Sequence, residues 1–206
     1  MITSNPLISM KAIALITLDG DVPLILNFRR CHGDPIEEAM AKIAKFREYE
    51  SLDEFKRAYG KQRLELVRRD LENGYWAYRP RNKFLFAVQI VDTEFQTQHV
   101  VVDSKKGVPK LKLVVSIGSG ATGPFIAQLV ESTSDPLDAA MVLYNTTQES
   151  DLQKYWGSDE DTFSVKKFRI KQFMAARDML DRQGFWVLRI AGYVAEVLQI
   201  VEMSYL

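Results

Sequence analysis

The sequence predicts a single domain of the α+β class, because its strand-like and helix-like segments come in blocks rather than in regular alternation. The chain has 206 residues, 47% of them hydrophobic and 26% charged, which is ordinary for one globular domain. No segment is rich enough in Pro, Gly or Ser to mark a linker, so we expect residues 1–206 to fold together. The predicted elements are a hairpin at 11–28, two helices in 34–73, strands in 84–117, helices in 121–147, an extra helix at 164–183 and a final strand pair at 185–203.

The first half of the chain carries clear turn and capping signals. Asp19-Gly20 lies between two apolar runs and predicts a hairpin, since glycine accepts a positive φ without steric cost. Asp34-Pro35 is typical of an N-cap followed by a first helical residue. Ser51, with a glutamate three residues on, predicts the capping box of a second helix that runs to the C-cap pair Asn73-Gly74.

The second half is predicted to begin with strands and to end with a hairpin. The three strand-like runs are Phe84–Val91, His99–Asp103 and Leu111–Ile117. Pro124–Ser132 is predicted as a helix, and Asp135-Pro136 opens another. The later helix 164–183 places Phe168, Phe173, Met174 and Leu180 on its apolar side.

Charge and cysteine content exclude several classes of function. Lys plus Arg and Asp plus Glu number 27 each, so the chain lacks the basic excess of nucleic-acid-binding proteins, and we expect no nucleic acid partner. No apolar run reaches the ~18 residues of a membrane span. Lys11 interrupts the apolar N-terminal stretch, so no secretory signal is predicted. A single cysteine, Cys31, suits a reducing compartment, and we expect a cytoplasmic protein without membrane contact.

The segment Arg30–Asp34 brings a thiol, an imidazole and a carboxylate close together in sequence. Catalytic Cys/His pairs must meet in space, whereas adjacent side chains usually point apart. We therefore interpret Cys31 as a small apolar side chain beside a loop histidine, His32. The other histidine, His99, lies among apolar residues of a predicted strand. Two isolated histidines and one cysteine do not supply the clustered ligands of a zinc site, so no metal is expected.

Residues 118–123 (GSGATG) match the pattern G-x-G-x-x-G between a predicted strand and a predicted helix. Such glycines let the backbone approach a phosphate, and the amides of the helix N-terminus receive its charge, so Gly118, Gly120 and Gly123 are candidates for cofactor binding. The acidic residue sought about 20 positions on is Asp138, which falls at a predicted helix start rather than after a strand. This context favours a structural turn, and no cofactor is expected.

Another segment combines aromatic and basic residues. The run 75–78 (YWAY) precedes Arg79, Arg81 and Lys83, a mixture that could stack on single-stranded nucleic acid. The charged stretch Arg63–Asp70 contains both signs and is interpreted as solvated surface. Because the chain has no basic excess elsewhere, we interpret these aromatic side chains as core or interface residues.

The order FLFAVQIVD, HVVVDSKKG, LKLVVSIGSGA and then helices resembles the second half of proteasome β subunits and their simpler bacterial relatives, members of the N-terminal-nucleophile hydrolase superfamily. In that superfamily an Ile-Gly-Ser-Gly segment ends a strand and begins a helix, as Ile117–Gly120 is predicted to do here. The resemblance implies an αββα sandwich of two mainly antiparallel sheets, face to face, with helices outside. It also implies assembly, since those relatives bury helices and loops between subunits in rings.

The catalytic residues of that superfamily are matched only in part. Its members use an N-terminal Thr, Ser or Cys at the start of the first strand, a place that falls at or beside Met10 here, and methionine cannot act as a nucleophile. Ser9, one residue away, is the candidate for a processed N-terminal nucleophile. Ser119 matches the supporting serine of Gly-Ser-Gly, and Glu149 corresponds to a supporting carboxylate. The family's Asp-x-Arg is reduced to Asn27–Arg29.

A second, local resemblance involves the same glycines. LVVSIGSGATGPFIAQLV followed by AAMVLYNTTQESDLQKYW is similar to the start of the NAD(P)-binding half of ferredoxin-reductase-like flavoenzymes, which carry Gly-x-Gly-x-x-Pro-Phe. Here Gly120–Phe125 has one residue too many, and the flavin-side Arg-x-Tyr-Ser and late Cys-Gly-Pro motifs are missing. This resemblance implies, as the alternative, an α/β three-layer nucleotide-binding fold.

The residues leave three functional hypotheses. The first is a non-catalytic protein of the N-terminal-nucleophile hydrolase fold that acts through homo-oligomer formation or through a protein partner. The second is a peptidase or amidohydrolase processed at Ser9. The third is an NAD(P)- or flavin-binding reductase-like protein that uses the loop 118–123. We favour the first, because neither resemblance brings a complete set of catalytic or cofactor-binding residues.

Overall fold

The computed structural model of the chain describes residues 8–95, 111–132, 135–144, 163–190 and 192–204. Helices and strands make up most of them, and the predicted α+β class is confirmed. The chain divides into two compact units: the first holds residues up to Leu111 with 120–125 and 202–206, and the second holds 112–119 and 126–201. That residues 1–206 fold as one domain stays a prediction. The last strand of the chain contributes residues to both units.

The first unit is built on a four-stranded antiparallel sheet. Its strands are β1 (Ile8–Asp19), β2 (Val22–Arg30), β3 (Tyr75–Tyr78) and β4 (Phe86–Phe95), in the spatial order β3-β4-β1-β2. The predicted first hairpin is confirmed, with its turn at residues 20 and 21, because Asp19 still pairs with Val22. The sequence does not predict β3, since four residues are too few to show a period.

Two features set β2 apart from the other strands. Leu15 pairs with Asn27 while Ile16 pairs with Ile25, so Leu26 is the extra residue of a β-bulge, and its side chain is exposed. On its other edge β2 pairs in parallel with the end of the last strand, where Phe28 lies opposite Met203. Both of these side chains are buried, so the two strand ends share a small apolar contact.

Three helices follow β2 in the first unit: α1 (Pro35–Phe46), α2 (Leu52–Tyr59) and α3 (Lys61–Glu72). The prediction of two helices over 34–73 is wrong in number. Gly60 has a φ of +77°, a conformation that other residues rarely adopt, and it ends α2 directly before α3 begins. The N-caps are confirmed: Asp34 accepts the backbone N–H of Ile36 at 2.9 Å, and Ser51 accepts that of Glu54 at 3.1 Å.

The core of the first unit lies between these helices and one face of the sheet. Alternate strand positions and the inner faces of the helices supply its buried residues, which are Ile13, Leu15, Ala39, Met40, Ile43, Ala44, Phe55, Val67, Leu71, Trp76, Phe86 and Val88. Each large apolar side chain of this kind contributes about 1.5–3 kcal/mol when fully buried. Because all three helices pack on this core, it fixes the positions of α1, α2 and α3 relative to one another.

The second unit combines two helices with most of four strands, of which Leu111, residues 120–125 and residues 202–204 belong to the first unit. The strands are β5 (Leu111–Gly120), β6 (Gly123–Glu131), β7 (Phe185–Ile190) and β8 (Tyr193–Ser204), in the order β7-β8-β5-β6. The helices are α4 (136–144) and α5 (Phe163–Gln183). The helix predicted at 164–183 and the final hairpin are thus confirmed, and both helices pack on Val114, Trp186 and Leu198.

The helix predicted at 124–132 is wrong, and only α4 remains of the helices expected in 121–147. Residues 123–131 form β6, which joins β5 through a two-residue turn at Ala121-Thr122. Buried Ile126 alternates with exposed Phe125 and Ala127, the period of a strand. A short apolar run does not distinguish this period from a buried helical turn. The predicted strand at 99–103 lies outside the described residues.

The strand pairings bear on the two detailed fold expectations. β1 pairs antiparallel with β2 and β4, β3 with β4, and β7 with β8, whereas the α/β three-layer alternative requires a parallel sheet. The described pairings are mainly antiparallel, with a short parallel pairing of β2 with β8 beside them. The face-to-face αββα arrangement itself stays a prediction.

Candidate functional site

The glycine-rich segment 118–123 lies in the β5–β6 hairpin. Gly123 has a φ of +132°, and a Cβ at this residue would lie 2.8 Å from the hydroxyl oxygen of Tyr75 and 2.9 Å from the ring of Phe84. Tyr75 donates its hydroxyl to the carbonyl of Pro124 at 3.0 Å, and Arg79 donates to the carbonyl of Ala121 at 3.2 Å. The close approach that glycine permits here is therefore to side chains of the first unit.

This geometry removes the premise on which Gly118, Gly120 and Gly123 were candidates for cofactor binding. The expected phosphate site needs the amides of a helix N-terminus behind the glycines, and a strand follows them instead. Gly120 lacks a positive φ, and a Cβ on it would meet the ring of Phe125 at 3.1 Å. The nucleotide hypothesis is left without the helix that supported it.

The candidate catalytic residues of the first resemblance are divided between the two units and the residues outside the described ranges. Ser9 pairs with Glu94 across β1 and β4, and its neighbour Met10 accepts a hydrogen bond from the Thr93 hydroxyl at 2.9 Å. Ser119 is exposed on β5, and its hydroxyl donates to the carbonyl of Val194 at 3.3 Å. Ser9 belongs to the first unit and Ser119 to the second, while Glu149 lies outside the described residues. Their catalytic roles stay predictions.

Glu38, in the first turn of α1, organises the segment that precedes this helix. Its Oε1 accepts the backbone N–H groups of His32 at 2.8 Å and Gly33 at 2.6 Å, and its Oε2 accepts from Arg29 at 3.1 Å. Burial raises the pKa of Glu38, but these donors together outweigh it and hold the pKa below the usual value. The carboxylate is thus ionised near the positive end of a helix dipole, where negative charge is stabilising.

Cys31 is a partly buried free thiol beside this cluster. Burial, assisted by the negative charge of Glu38 and opposed by Arg29 and Lys11, raises the pKa of the thiol to about 11. A thiol with this pKa is protonated at neutral pH and is not activated as a nucleophile. The geometry fits the interpretation of Cys31 as a small apolar side chain.

The aromatic and basic segment after α3 is built into the first unit. Trp76 is buried, and the Tyr78 ring centroid lies 4.4 Å from the guanidinium carbon of Arg47. The same guanidinium lies 5.1 Å from the ring of Tyr59 and 5.6 Å from that of Tyr49. At these distances cation–π attraction holds the arginine among three tyrosines. These rings pack within the first unit, in line with their interpretation as core or interface residues.

The second unit buries a polar pair that sequence patterns do not reveal. Ser116 on β5 donates its hydroxyl to a carboxylate oxygen of Glu196 on the adjacent strand β8, and both residues are buried. A buried carboxylate is costly unless it is hydrogen-bonded. The pair therefore favours one register of β5 against β8. In the sequence its only trace is a single polar residue within each of two apolar runs.

The helices of the second unit run antiparallel to each other. The Arg177 guanidinium lies 3.7 Å from the Asp138 carboxylate, and the rings of Tyr144 and Phe173 are 6.0 Å apart. Residue numbers therefore rise from 138 to 144 along α4 while they fall from 177 to 173 along the neighbouring α5. This alignment fixes which exposed side chains of the two helices are neighbours.

Two exposed apolar side chains lie on the outer face of this helix pair. Val142 is 67% exposed one turn after Asp138, and Met174 is 58% exposed one turn before Arg177. From this alignment and the spacing of helix turns we infer that both side chains lie beside the ion pair, and we call Val142 and Met174 the outer helix patch. The expectation that Met174 belongs to the buried side of α5 is wrong, since the adjacent Phe173 and the fully buried Leu180 occupy that side.

Within the described ranges, no three or more His, Cys, Asp or Glu side chains come together as a metal site would require. None of the helices in that part of the chain is long and apolar enough to cross a membrane.

Comparison of the chain with models of protein families, with curated proteins and with solved structures finds no match. The two family resemblances therefore depend on the sequence motifs quoted for them.

Proposed function

We propose that this chain is a non-catalytic binding protein that assembles with a second copy of itself through the outer helix patch. The observation that carries the proposal is that Val142 and Met174 are both exposed on α4 and α5, two helices that contact each other through Asp138 and Arg177. Single exposed apolar residues are ordinary, whereas adjacent ones ringed by charged groups have the composition of an interface.

The charges around the patch favour a second copy as the occupant. Asp138, Lys171, Arg177 and Asp178 are exposed around the patch and include both signs. The chain as a whole has a formal net charge of zero, so two copies do not repel each other. A twofold contact places the same patch on itself, and basic groups of one copy can then meet acidic groups of the other. Met174 has an unbranched, adaptable side chain suited to the centre of such a contact.

The first resemblance supports self-assembly from the sequence, because the relatives it names bury helices and loops between subunits in rings. The state of the thiol supports a non-catalytic role: Cys31 is held protonated by burial, with its pKa at about 11.

Light scattering of the purified protein over a range of concentrations tests the proposal. We expect a dimer or larger assembly at high micromolar concentration, and a shift to monomer in Met174→Lys, because assembly would bury the new charge. Leu66→Lys is the matched control, since Leu66 is an apolar residue of α3 that is 50% exposed and lies in the other unit. Circular dichroism shows that each variant is folded.

Two results would overturn the proposal. One is a wild-type protein that stays monomeric at high micromolar concentration. The other is an assembly that both Val142→Lys and Met174→Lys leave intact.

A further inference from the structure

A shallow groove lies on the first unit where α1, α2 and α3 meet. It encloses about 390 Å³, within the range of small-molecule sites. Met40, which is buried, and Leu64, which is half-buried, form its apolar base. The charged residues around this base are Glu37, Lys56, Lys61, Glu65 and Arg68. We call these seven residues the three-helix groove.

Glu37 is satisfied within the groove. It accepts a hydrogen bond from Lys56 at 2.6 Å through Oε2 and a second from Arg68 through Oε1. The bond from Lys56, together with that from Arg68, lowers the pKa of Glu37 against the opposing effect of burial. Glu37 therefore stays ionised and is paired with both Lys56 and Arg68.

Lys61 is the basic residue of the groove that does not pair with Glu37. It has no ion pair within the described part of the chain. It opens α3, whose N-cap, Gly60, provides no capping side chain, and the first turn of α3 has no acidic residue. The positive end of the helix dipole adds to the charge of Lys61. The side chains around the apolar base carry a net charge of +1, from three basic and two acidic residues, with Lys61 at the start of α3 and Glu65 one turn further along it.

We propose that the three-helix groove binds a small amphiphilic carboxylate, a molecule with a short aliphatic chain that ends in a carboxyl group. The aliphatic chain contacts Met40 and Leu64, and the carboxylate pairs with Lys61. Three basic and two acidic side chains line the groove, which favours an anionic head group over a cationic one. This site is independent of the outer helix patch, which lies in the other unit.

Titration with octanoate, octanol and octylamine tests the proposal, with the backbone amide shifts of residues 35–72 followed by nuclear magnetic resonance. We expect saturable binding of octanoate, weaker binding of octanol, which lacks the charge, and the weakest binding of octylamine, which carries the opposite charge. Lys61→Glu should weaken octanoate binding about tenfold, a change equal to about 1.4 kcal/mol. Lys45→Glu makes the same charge change on α1 outside the groove and should bind as the wild type does.

Several outcomes contradict the proposal. Equal binding of octanol and octanoate would leave Lys61 without a role, and an equal loss in Lys45→Glu would indicate general electrostatics rather than a site. Shifts that do not saturate would remove the groove as a binding site. Met174→Lys should bind octanoate unchanged, so a failure of self-assembly and a failure of ligand binding are distinguishable.

Discussion

The hydroxyl oxygen of Tyr75 lies 2.8 Å from the point that a Cβ on Gly123 would occupy. At a φ of +132° Gly123 also has a backbone conformation that other residues rarely adopt. Because Gly123 has no side chain, the hydroxyl group of Tyr75 can lie beside it and donate a hydrogen bond to the carbonyl of Pro124. The pair shows that this glycine is required by packing as well as by backbone conformation.

Gly123→Ala should therefore lower the free energy of unfolding by about 2–4 kcal/mol, because backbone strain and a steric clash act together. Gly20→Ala is the control: its φ of +62° is also positive, but no atom lies within 4 Å of the new Cβ. That variant should lose about 1–2 kcal/mol from backbone strain alone. Urea denaturation measures both, and equal losses would show that the contact with Tyr75 does not matter.

Glu38 should make the stability of the first unit sensitive to acid. Its pKa is lower in the folded protein than the ordinary value of 4.5, so the unfolded chain takes up a proton more readily. The stabilisation is complete above pH 4.5 and is lost as the pH falls through the lower folded pKa. Glu38→Gln should lower the free energy of unfolding at neutral pH by about 1–3 kcal/mol and weaken its acid dependence.

Urea denaturation at stepped pH checks this prediction. Glu72→Gln, which changes an exposed carboxylate at the end of α3, should follow the wild type. An acid dependence that is the same in Glu38→Gln and in the wild type would contradict the role given to Glu38.

Cys31 should react slowly with iodoacetamide, because only the thiolate is nucleophilic and its pKa is raised to about 11. At neutral pH the rate should lie well below that of N-acetylcysteine and should rise with pH while the chain stays folded. Glu38→Gln removes a negative charge that raises this pKa, so it should speed the reaction at fixed pH. A rate like that of the free model thiol would contradict the burial of Cys31.

Ser116→Ala should destabilise the protein by about 1–3 kcal/mol, because Glu196 loses a hydrogen-bond donor in a buried place. Ser119→Ala is the matched control on the same strand, where an exposed hydroxyl makes a longer bond of 3.3 Å. Its effect should stay within about 0.5 kcal/mol. Thermal unfolding of both variants measures the difference, and similar losses would contradict the importance of the buried pair.

The elements that could be predicted from the sequence carry strong local signals. Asp34-Pro35 and Ser51 place the starts of α1 and α2, and both N-cap side chains accept backbone N–H groups as expected, although the Glu54 carboxylate of the predicted capping box accepts from Glu50 instead of Ser51. The hairpin β1–β2 and helix α5 are long enough for their periods to be unambiguous. These signals act within a few residues, so they do not depend on the rest of the fold.

The errors arise where tertiary contacts decide. The apolar run at residues 124–132 fits both the helical and the strand period, and its pairing with β5 decides in favour of a strand. Met174 and Phe173 are adjacent and cannot both face the sheet, so one of them is exposed, and their order along the chain does not say which. Glu38 and the Ser116–Glu196 pair have no motif, because their partners are brought together by folding.

The parallel pairing of Phe28 with Met203 also has a kinetic consequence. Nearly the whole chain separates these residues, so their contact closes a very long loop, whereas the hairpins β1–β2 and β7–β8 close short ones. Local hairpins form within microseconds, about 1–10 μs, and distant pairings wait until the intervening chain is ordered. We therefore expect the apolar edge at Phe28 to be covered late, by residues that leave the ribosome long after the rest of the first unit.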